Sequence, residues 1–385
     1  MMGAHAMLSA SGAHRWIPCP PSARLEKEIK DITSIYAQEG TFMHSLAELH
    51  LKLYLKKITK ASFNKELQVM KKNNFYTEEV EEAVQVYVDI VIERINAAEK
   101  DALILLEEWV DFSLWVPEGF GTSDVIIISG STIEVMDLKG GRGVKIYADD
   151  NYQMRLYALG SINNFGILYD LENVKMTIVQ PRLDHISTEE LKIEDLLDWA
   201  NTVVKPKAEL AYAGKGTMAA GDHCRFCKIK ATCRERAKEN MKLAALDFKD
   251  PPLLTEDEIV DVLLAIDELK KWASDIEDYA YAKAVNEGKR WPGFKLVEGR
   301  RSRKYTDEKK IIERLINEGY EEEKIFKKSL LTLTKLEKEL GKKKFEEILG
   351  DYVERPPGKL QLVPESDKRK EVKNEAQIDF KNKGE

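Results

Sequence analysis

One stretch, GTSDVIIISGSTIEVMDLKGG from Gly121 to Gly141, constrains this chain more than any other. Two apolar, β-branched runs flank Ser129, Gly130 and Ser131. A two-residue loop of Gly130 and Ser131 predicts a type II′ hairpin with glycine in its favoured first position. That register pairs Ser129 with Thr132 and, counting outward, Asp124 with Asp137. Facing residues on paired strands have Cβ atoms about 5 Å apart. Lys139, two residues beyond Asp137, points to the same side because strand side chains alternate. The rest of that face is Ile126, Ile128, Ile133 and Val135.

Two carboxylates at the edge of an apolar surface repel unless a proton or a cation sits between them. Hard Mg²⁺ or Mn²⁺ takes oxygen ligands and keeps waters for chemistry. Asp124 and Asp137 with Lys139 to orient or deprotonate water therefore suit metal-assisted phosphodiester hydrolysis. The plainer reading is an ordinary hairpin with its acids at exposed strand ends and Lys139 in a surface ion pair.

The flanking sequence predicts a mixed α/β fold. Gly40 to Lys57 reads as an enclosed helix, with His44 in its first turns, and Glu78 to Ala98 as a second helix. Strands are expected over Leu103–Trp115, Ser123–Ser129, Thr132–Lys139 and Val174–Gln180, with a helix at about Asn151–Ile162 between the last two. Such an order suits a mixed sheet flanked by helices. Thr255 and Glu258 form a capping box ahead of a long helix expected to end near Gly288. Shorter helices are expected from Thr306 to Leu349, and from Asp351 prolines, charges and few apolar groups suggest a mostly disordered tail. The regions are thus 1–245, a core; 246–350, a helical C-terminal extension; and 351–385, the tail.

Four cysteines occur, too few for a disulfide scaffold. Cys224, Cys227 and Cys233 form C-x2-C-x5-C, and Cys19 supplies the fourth thiol. Four thiolates can complete a zinc site or ligate an iron–sulfur cluster, and spacing alone does not choose between them.

Several of these residues carry a family resemblance. Asp124 in GTSD, Asp137 and Lys139 in DLK, His44 in GTFMH, and Gln153 with Tyr157 in QMRLY resemble the motifs of the RecB-like branch of the PD-(D/E)XK nuclease superfamily. LSASGAHRWIPCP, from Leu8, resembles that branch's N-terminal serine and Cys-Pro motif, and the overlap covers residues 8 to 240. Asp137 stands where many relatives carry glutamate. The resemblance implies a restriction-endonuclease-like mixed sheet and a cation held by His44, Asp124 and Asp137 with the Leu138 carbonyl. Lys139 would serve the water, and Gln153 and Tyr157 would lie beside the active site. A distant N-terminal cysteine paired with a C-terminal trio resembles the iron–sulfur staple of AddB-type and CRISPR-associated nucleases, which favours a 4Fe-4S cluster over zinc. The whole chain is similar to a phage and prophage nuclease family, so the implied activity is a metal-dependent DNA exonuclease in recombination or replication. Its implied substrates are DNA ends or single strands, with a recombination or single-strand-binding protein as partner.

The remaining features fit more loosely. His50, His185 and His223 match no motif and are assigned to structure or surface, and Glu107 and Glu108 to a solvated strand edge. Net charge is −7, yet Asp222–Lys242 carries +4 and Glu287–Lys310 carries +5, the latter with Trp291, Phe294 and Tyr305 interleaved. Such stretches can neutralise phosphates and stack on unpaired bases. Arg142 and Lys145 follow Lys139 closely. No GxxxxGK[ST] motif appears, which argues against an ATP-driven motor. No apolar run approaches the roughly 18 residues that span a bilayer, and Met1–Trp16 lacks a signal-peptide core, so a cytoplasmic place in a bacterial host is expected. The rival readings are a non-catalytic DNA-binding or assembly module on the same fold and a structure-specific endonuclease.

Overall fold

A computed structural model describes residues 6–29, 34–242, 254–297, 307–326 and 330–353. Two short helices, α1 (Ala13–Trp16) and α2 (Ser22–Lys27), precede three longer ones, α3 (Ile35–Tyr54), α4 (Lys60–Met70) and α5 (Glu78–Ala97). The strands β1 (Leu103–Asp111), β2 (Phe120–Ser129) and β3 (Thr132–Leu138) follow, then α6 (Tyr152–Phe165), β4 (Asn173–Gln180) and β5 (His185–Lys192). After them come α7 (Ile193–Trp199), α8 (Lys205–Ala213), α9 (Arg234–Met241) and α10 (Glu256–Glu287).

Capping chemistry sets the starts of the helices that matter here. The Ser34 hydroxyl accepts from the Ala37 amide at the head of α3, so that helix begins five residues before the expected Gly40. Thr77 caps α5 ahead of Glu78, Glu79 and Glu81, which favour the positive end of the helix dipole. The Asn151 side chain accepts from the Gln153 and Met154 amides and opens α6.

The five strands lie in the order β1-β2-β3-β4-β5, antiparallel except for the parallel β3/β4 pair that α6 connects. The hairpin register is the expected one: Ser129 pairs with Thr132 and Val125 with Met136. Gly130 has φ of +55° and Ser131 no positive φ, the sign pattern of a type II′ turn. The first strand is shorter than expected, ending at Asp111, because the Phe112 amide donates to the Gly119 carbonyl and closes a turn. β5 was not expected; its HISTEELK sequence has few apolar residues, Ser187 and Glu189 being buried and Ile186 exposed at the sheet edge.

Side-chain alternation divides the sheet between two cores. Ile126, Ile128, Ile133, Val135, Met176 and Ile178 pack with Met154, Leu156, Ala158 and Leu159 of α6, with α1, and with α7 and α8. On the other face Val125, Ile127, Met136 and Leu138 meet Phe42, Met43 and Leu46 of α3 and Val84, Tyr87 and Val88 of α5. The site lies where these helices reach the middle of β2 and the C-terminal end of β3, at the point where the two strands cease to pair.

Contacts divide the chain into two compact units, Met1–Tyr281 and Ala282–Glu385. The expected boundary at 245 lies among residues outside the described set. The capping box forms as expected: the Thr255 amide donates to Glu258 Oε2 at 3.0 Å and the Glu258 amide to Thr255 Oγ1 at 3.3 Å. Beyond Tyr281 are the end of α10 and four short helices, α11 (Glu308–Asn317), α12 (Glu322–Ile325), α13 (Leu333–Leu340) and α14 (Lys342–Leu349). Gly350–Tyr352 forms one further helical turn where the tail was expected to begin, and 354–385 lie outside the described residues. No described helix is long and apolar enough to cross a membrane.

Candidate functional site

Asp124 interrupts the sheet on both sides. On β1, Leu106 pairs with Val125 and Glu108 with Ser123, but Glu107 between them takes φ of +49°, a left-handed conformation costing a non-glycine residue about 1–3 kcal/mol. On β3 the ladder stops at Met136, and the Leu138 amide donates to Asp124 Oδ2 at 2.7 Å. The other Asp124 oxygen, Oδ1, lies 3.0 Å from His44 Nδ1 on α3. Ligand atoms of His44, Glu107 and Asp124 all fall within 4.8 Å of one another. Glu48, Leu51 and Tyr87 line the same pocket, and the buried Tyr87 hydroxyl has no hydrogen-bond partner.

Asp137 is 3% exposed and belongs to an adjoining network. Lys139 Nζ donates to Asp137 Oδ1 at 3.2 Å and to Gln153 Oε1 at 3.0 Å. It also lies 2.9 Å from Asp137 Oδ2, but off the direction a hydrogen bond needs, so that buried oxygen makes none. Gln153 Nε2 reaches Asp137 Oδ1 at 3.4 Å and the Tyr157 hydroxyl at 3.3 Å, one turn further along α6. Gly121 makes room for that tyrosine: a Cβ there would stand 2.7 Å from Tyr157 Cε1. The glycine of GTSD and the tyrosine of QMRLY are thus in direct contact.

Charge crowding shifts these groups strongly. Burial of the His44 ring opposes protonation, but Asp124, helped by Asp137 and Glu107, outweighs it and holds the pKa up to about 9. Burial, then Asp124, pushes the Glu107 carboxyl up to about 7. Burial raises Asp137 too, against the pull of Lys139, and burial keeps the Tyr157 hydroxyl protonated. Imidazole and carboxylate donors beside the unpartnered, buried Tyr87 hydroxyl fit a hard divalent cation, which would relieve the repulsion among the acids.

The four cysteines come together as the resemblance implied. Cys19, Cys224, Cys227 and Cys233 line one cavity with Arg15, Ser22, Met218 and His223. Glu26 joins its two sides, accepting from Arg15 Nε at 3.0 Å and from the Lys228 amide at 2.9 Å. Burial raises the Cys224 thiol and pushes Cys227 up to about 12, so these thiols need a positive partner to ionise. The buried Ser22 hydroxyl has no hydrogen-bond partner. Among the described residues, the three ligand atoms that converge within 4.8 Å are those of His44, Glu107 and Asp124, and no three of these sulfurs do. Sulfurs around one tetrahedral zinc stand about 3.8 Å apart with bonds of about 2.3 Å. Four thiols lining one cavity could hold either a zinc ion or an iron–sulfur cluster.

One expectation needs correction. Glu107 does not line a solvated edge but faces His44 and Asp124; its one sequence signal was an acidic pair inside an apolar strand, and its backbone conformation left none. His223 lies against the cysteine cavity with Nε2 2.9 Å from the Ala219 carbonyl oxygen. His50 and His185 have the structural roles expected, packing on Phe63 and Tyr147. In the Ala282–Glu385 unit, Lys289 Nζ sits 4.2 Å from the Trp291 ring centre and Phe294 is exposed, whereas Tyr305 is outside the described residues.

These features define a mixed α/β protein with a histidine–carboxylate cluster beside a break in the pairing of its first three strands, and a four-cysteine cavity. The chain belongs to the family described as "Protein of unknown function (DUF2800)", whose model matches residues 5–370. Among solved structures it is similar to one titled "Crystal structure of SSO0001", at 16% identity and a TM-score of 0.24, over 56% of this chain and 95% of that one.

Proposed function

We propose that the protein is a metal-dependent deoxyribonuclease of the RecB-like PD-(D/E)XK type, an exonuclease that trims DNA ends or single strands in phage or prophage recombination or replication. The observation that carries this reading is the adjacency of the His44–Asp124 pair to the Asp137–Lys139–Gln153 network where the β2/β3 ladder stops, with the Leu138 amide donating to Asp124. His44, Asp124, Asp137 and the Leu138 carbonyl would hold Mg²⁺ or Mn²⁺. When bound, that cation would polarise the scissile phosphate and offset the charge that develops on it.

The chain's own groups supply the rest. Lys139 Nζ gives two of its three donors to Asp137 and Gln153 and keeps one for a water that attacks phosphorus, and its charge favours the more anionic transition state. Asp137 and Gln153 Oε1 keep the ammonium in place, and Tyr157 in turn orients the Gln153 amide. The water oxygen forms the new bond to phosphorus as the bond to the leaving sugar oxygen breaks; the attacking water gives up one proton to solvent and the leaving oxygen takes one up from solvent. Exposed Lys145, six residues past Lys139, would meet the DNA backbone in this reading, whereas Arg142 is paired with Glu79.

The cysteine cavity would hold a 4Fe-4S cluster rather than zinc, tying the N-terminal segment to the region after α8 in a structural role. A recombination or single-strand-binding protein is the partner in this reading, with Thr255–Leu349 the region for its docking. Incubation with Mn²⁺ of linear and circular DNA, each single-stranded and duplex, tests the proposal. Loss of linear DNA alone supports an exonuclease, cutting of circles makes it an endonuclease, and binding without cutting leaves a DNA-binding module.

A further inference from the structure

The Glu107 side of Asp124 has no role in the scheme above, although its groups are arranged as a ligand set. Glu107 comes from β1, Asp124 from β2 and His44 from α3, and their donor atoms lie within 4.8 Å of one another. Glu48, one turn after His44, stands at the same pocket with Oε1 paired to Lys52 at 2.8 Å. Tyr87 on α5, 1% exposed, lines the pocket with a hydroxyl that meets no protein partner. A buried hydroxyl without a partner calls for a water or ion. The backbone conveys the same message independently. Glu107 sits at φ +49°, where a glycine would be at ease, between two normally paired residues of β1. Strain of this kind persists where the surroundings over-determine it, and it clusters at ligand clamps.

We propose that Glu107 is a ligand of the divalent cation beside His44 and Asp124, and that the Tyr87 hydroxyl orients a water on that cation. The proposal rests on the cation reading of the site but not on DNA cleavage. A set of one imidazole and two carboxylates suits Mn²⁺ well, because it mixes nitrogen with hard oxygen donors. Glu107 reaches the cation only from the left-handed backbone conformation, which explains why a glutamate occupies a glycine-like position.

Binding of Mn²⁺ alone to the full chain, followed by the loss of its free electron-paramagnetic-resonance signal, tests this. Glu107→Gln should weaken Mn²⁺ at least about tenfold, and Tyr87→Phe, acting through water, by about tenfold or less. Glu108→Gln on the same strand should leave the affinity as it was. Glu107→Gly separates a ligand from a structural residue: it should melt no lower than the native protein without metal while binding Mn²⁺ as poorly as Glu107→Gln. Native affinity in Glu107→Gln and Glu107→Gly, or no Mn²⁺ bound by the native protein, overturns the proposal. DNA cleavage with Mn²⁺ is scored separately. Tight, Glu107-dependent Mn²⁺ without cleavage upholds this ligand and removes the nuclease; cleavage with Glu107-independent binding does the reverse.

Discussion

Arg182 grips Glu39 through two hydrogen bonds of 2.8 Å, one from each terminal nitrogen. Arg182 follows β4 and is nearly buried, and Glu39 lies on α3 five residues before His44. The same guanidinium donates to the Gly140 carbonyl at 2.8 Å, next to Lys139, and its Nε faces Glu79 of α5 at 3.4 Å. One side chain thus sets the helix carrying His44 against the strand end carrying Lys139.

Arg182→Ala should therefore destabilise the protein by about 3 kcal/mol, since it removes the buried member of an ion pair and strands the Gly140 carbonyl. Hydrogen bonding from Arg182 holds the Glu39 carboxyl below its ordinary 4.5. That contribution is present above pH 4.5 and is lost as pH falls through the lower folded value. Urea unfolding of both proteins along an acid series should show a shallower acid loss in the variant.

Lys139→Ala should keep the melting temperature within a few degrees and leave Mn²⁺ binding intact, while cleavage falls about 10²–10³-fold. A single-turnover assay on end-labelled DNA measures this. Cleavage at the native rate would remove Lys139 from the mechanism.

Without a bound cation, the His44–Asp124 pair should make stability fall with alkali. The folded pKa of His44 is raised from 6.5 to about 9, so its contribution is complete below pH 6.5 and is lost as pH rises to about 9. Calorimetric scans of metal-free protein over this range should show a decline that His44→Asn lacks.

Gly121→Ala should drive Tyr157 off Gln153, because its Cβ would meet the tyrosine ring at 2.7 Å. Overpacking of this kind costs about 1–3 kcal/mol. Denaturant midpoints and cleavage assays should both register it, and a second change, Tyr157→Phe, should not relieve the clash because the ring remains.

Replacing any one of Cys19, Cys224, Cys227 or Cys233 with serine should remove the broad visible absorbance of anaerobically purified protein, together with its iron and sulfide. Metal analysis that finds zinc instead, in colourless native protein, would sink the cluster assignment.

The hairpin was legible residue by residue. A two-residue Gly-Ser loop sets strand pairing locally, so the register from Ser129–Thr132 out to Val125–Met136 followed without knowledge of the rest of the chain, whereas the expected pairing of Asp124 with Asp137 lies one step beyond where the ladder stops. Equally legible were Gln153 and Tyr157, four residues apart on one helix, and the capping box of Thr255 and Glu258. Glu107 was misjudged because an acidic pair in a strand usually faces water. β5 was missed because an edge strand lacks the apolar content that marks a buried one.

What the sequence by itself determined is local: turn type, register, helix starts, and the supply of four thiols, one histidine and paired acids at spacings that could converge. Tertiary structure alone decided which donors meet. His44 reaches Asp124 through the packing of α3 on the sheet, Glu107 turns toward them through a left-handed backbone, and Arg182 joins segments 143 residues apart. Such meetings depend on chain closure between distant elements, and no periodicity of neighbouring residues encodes it.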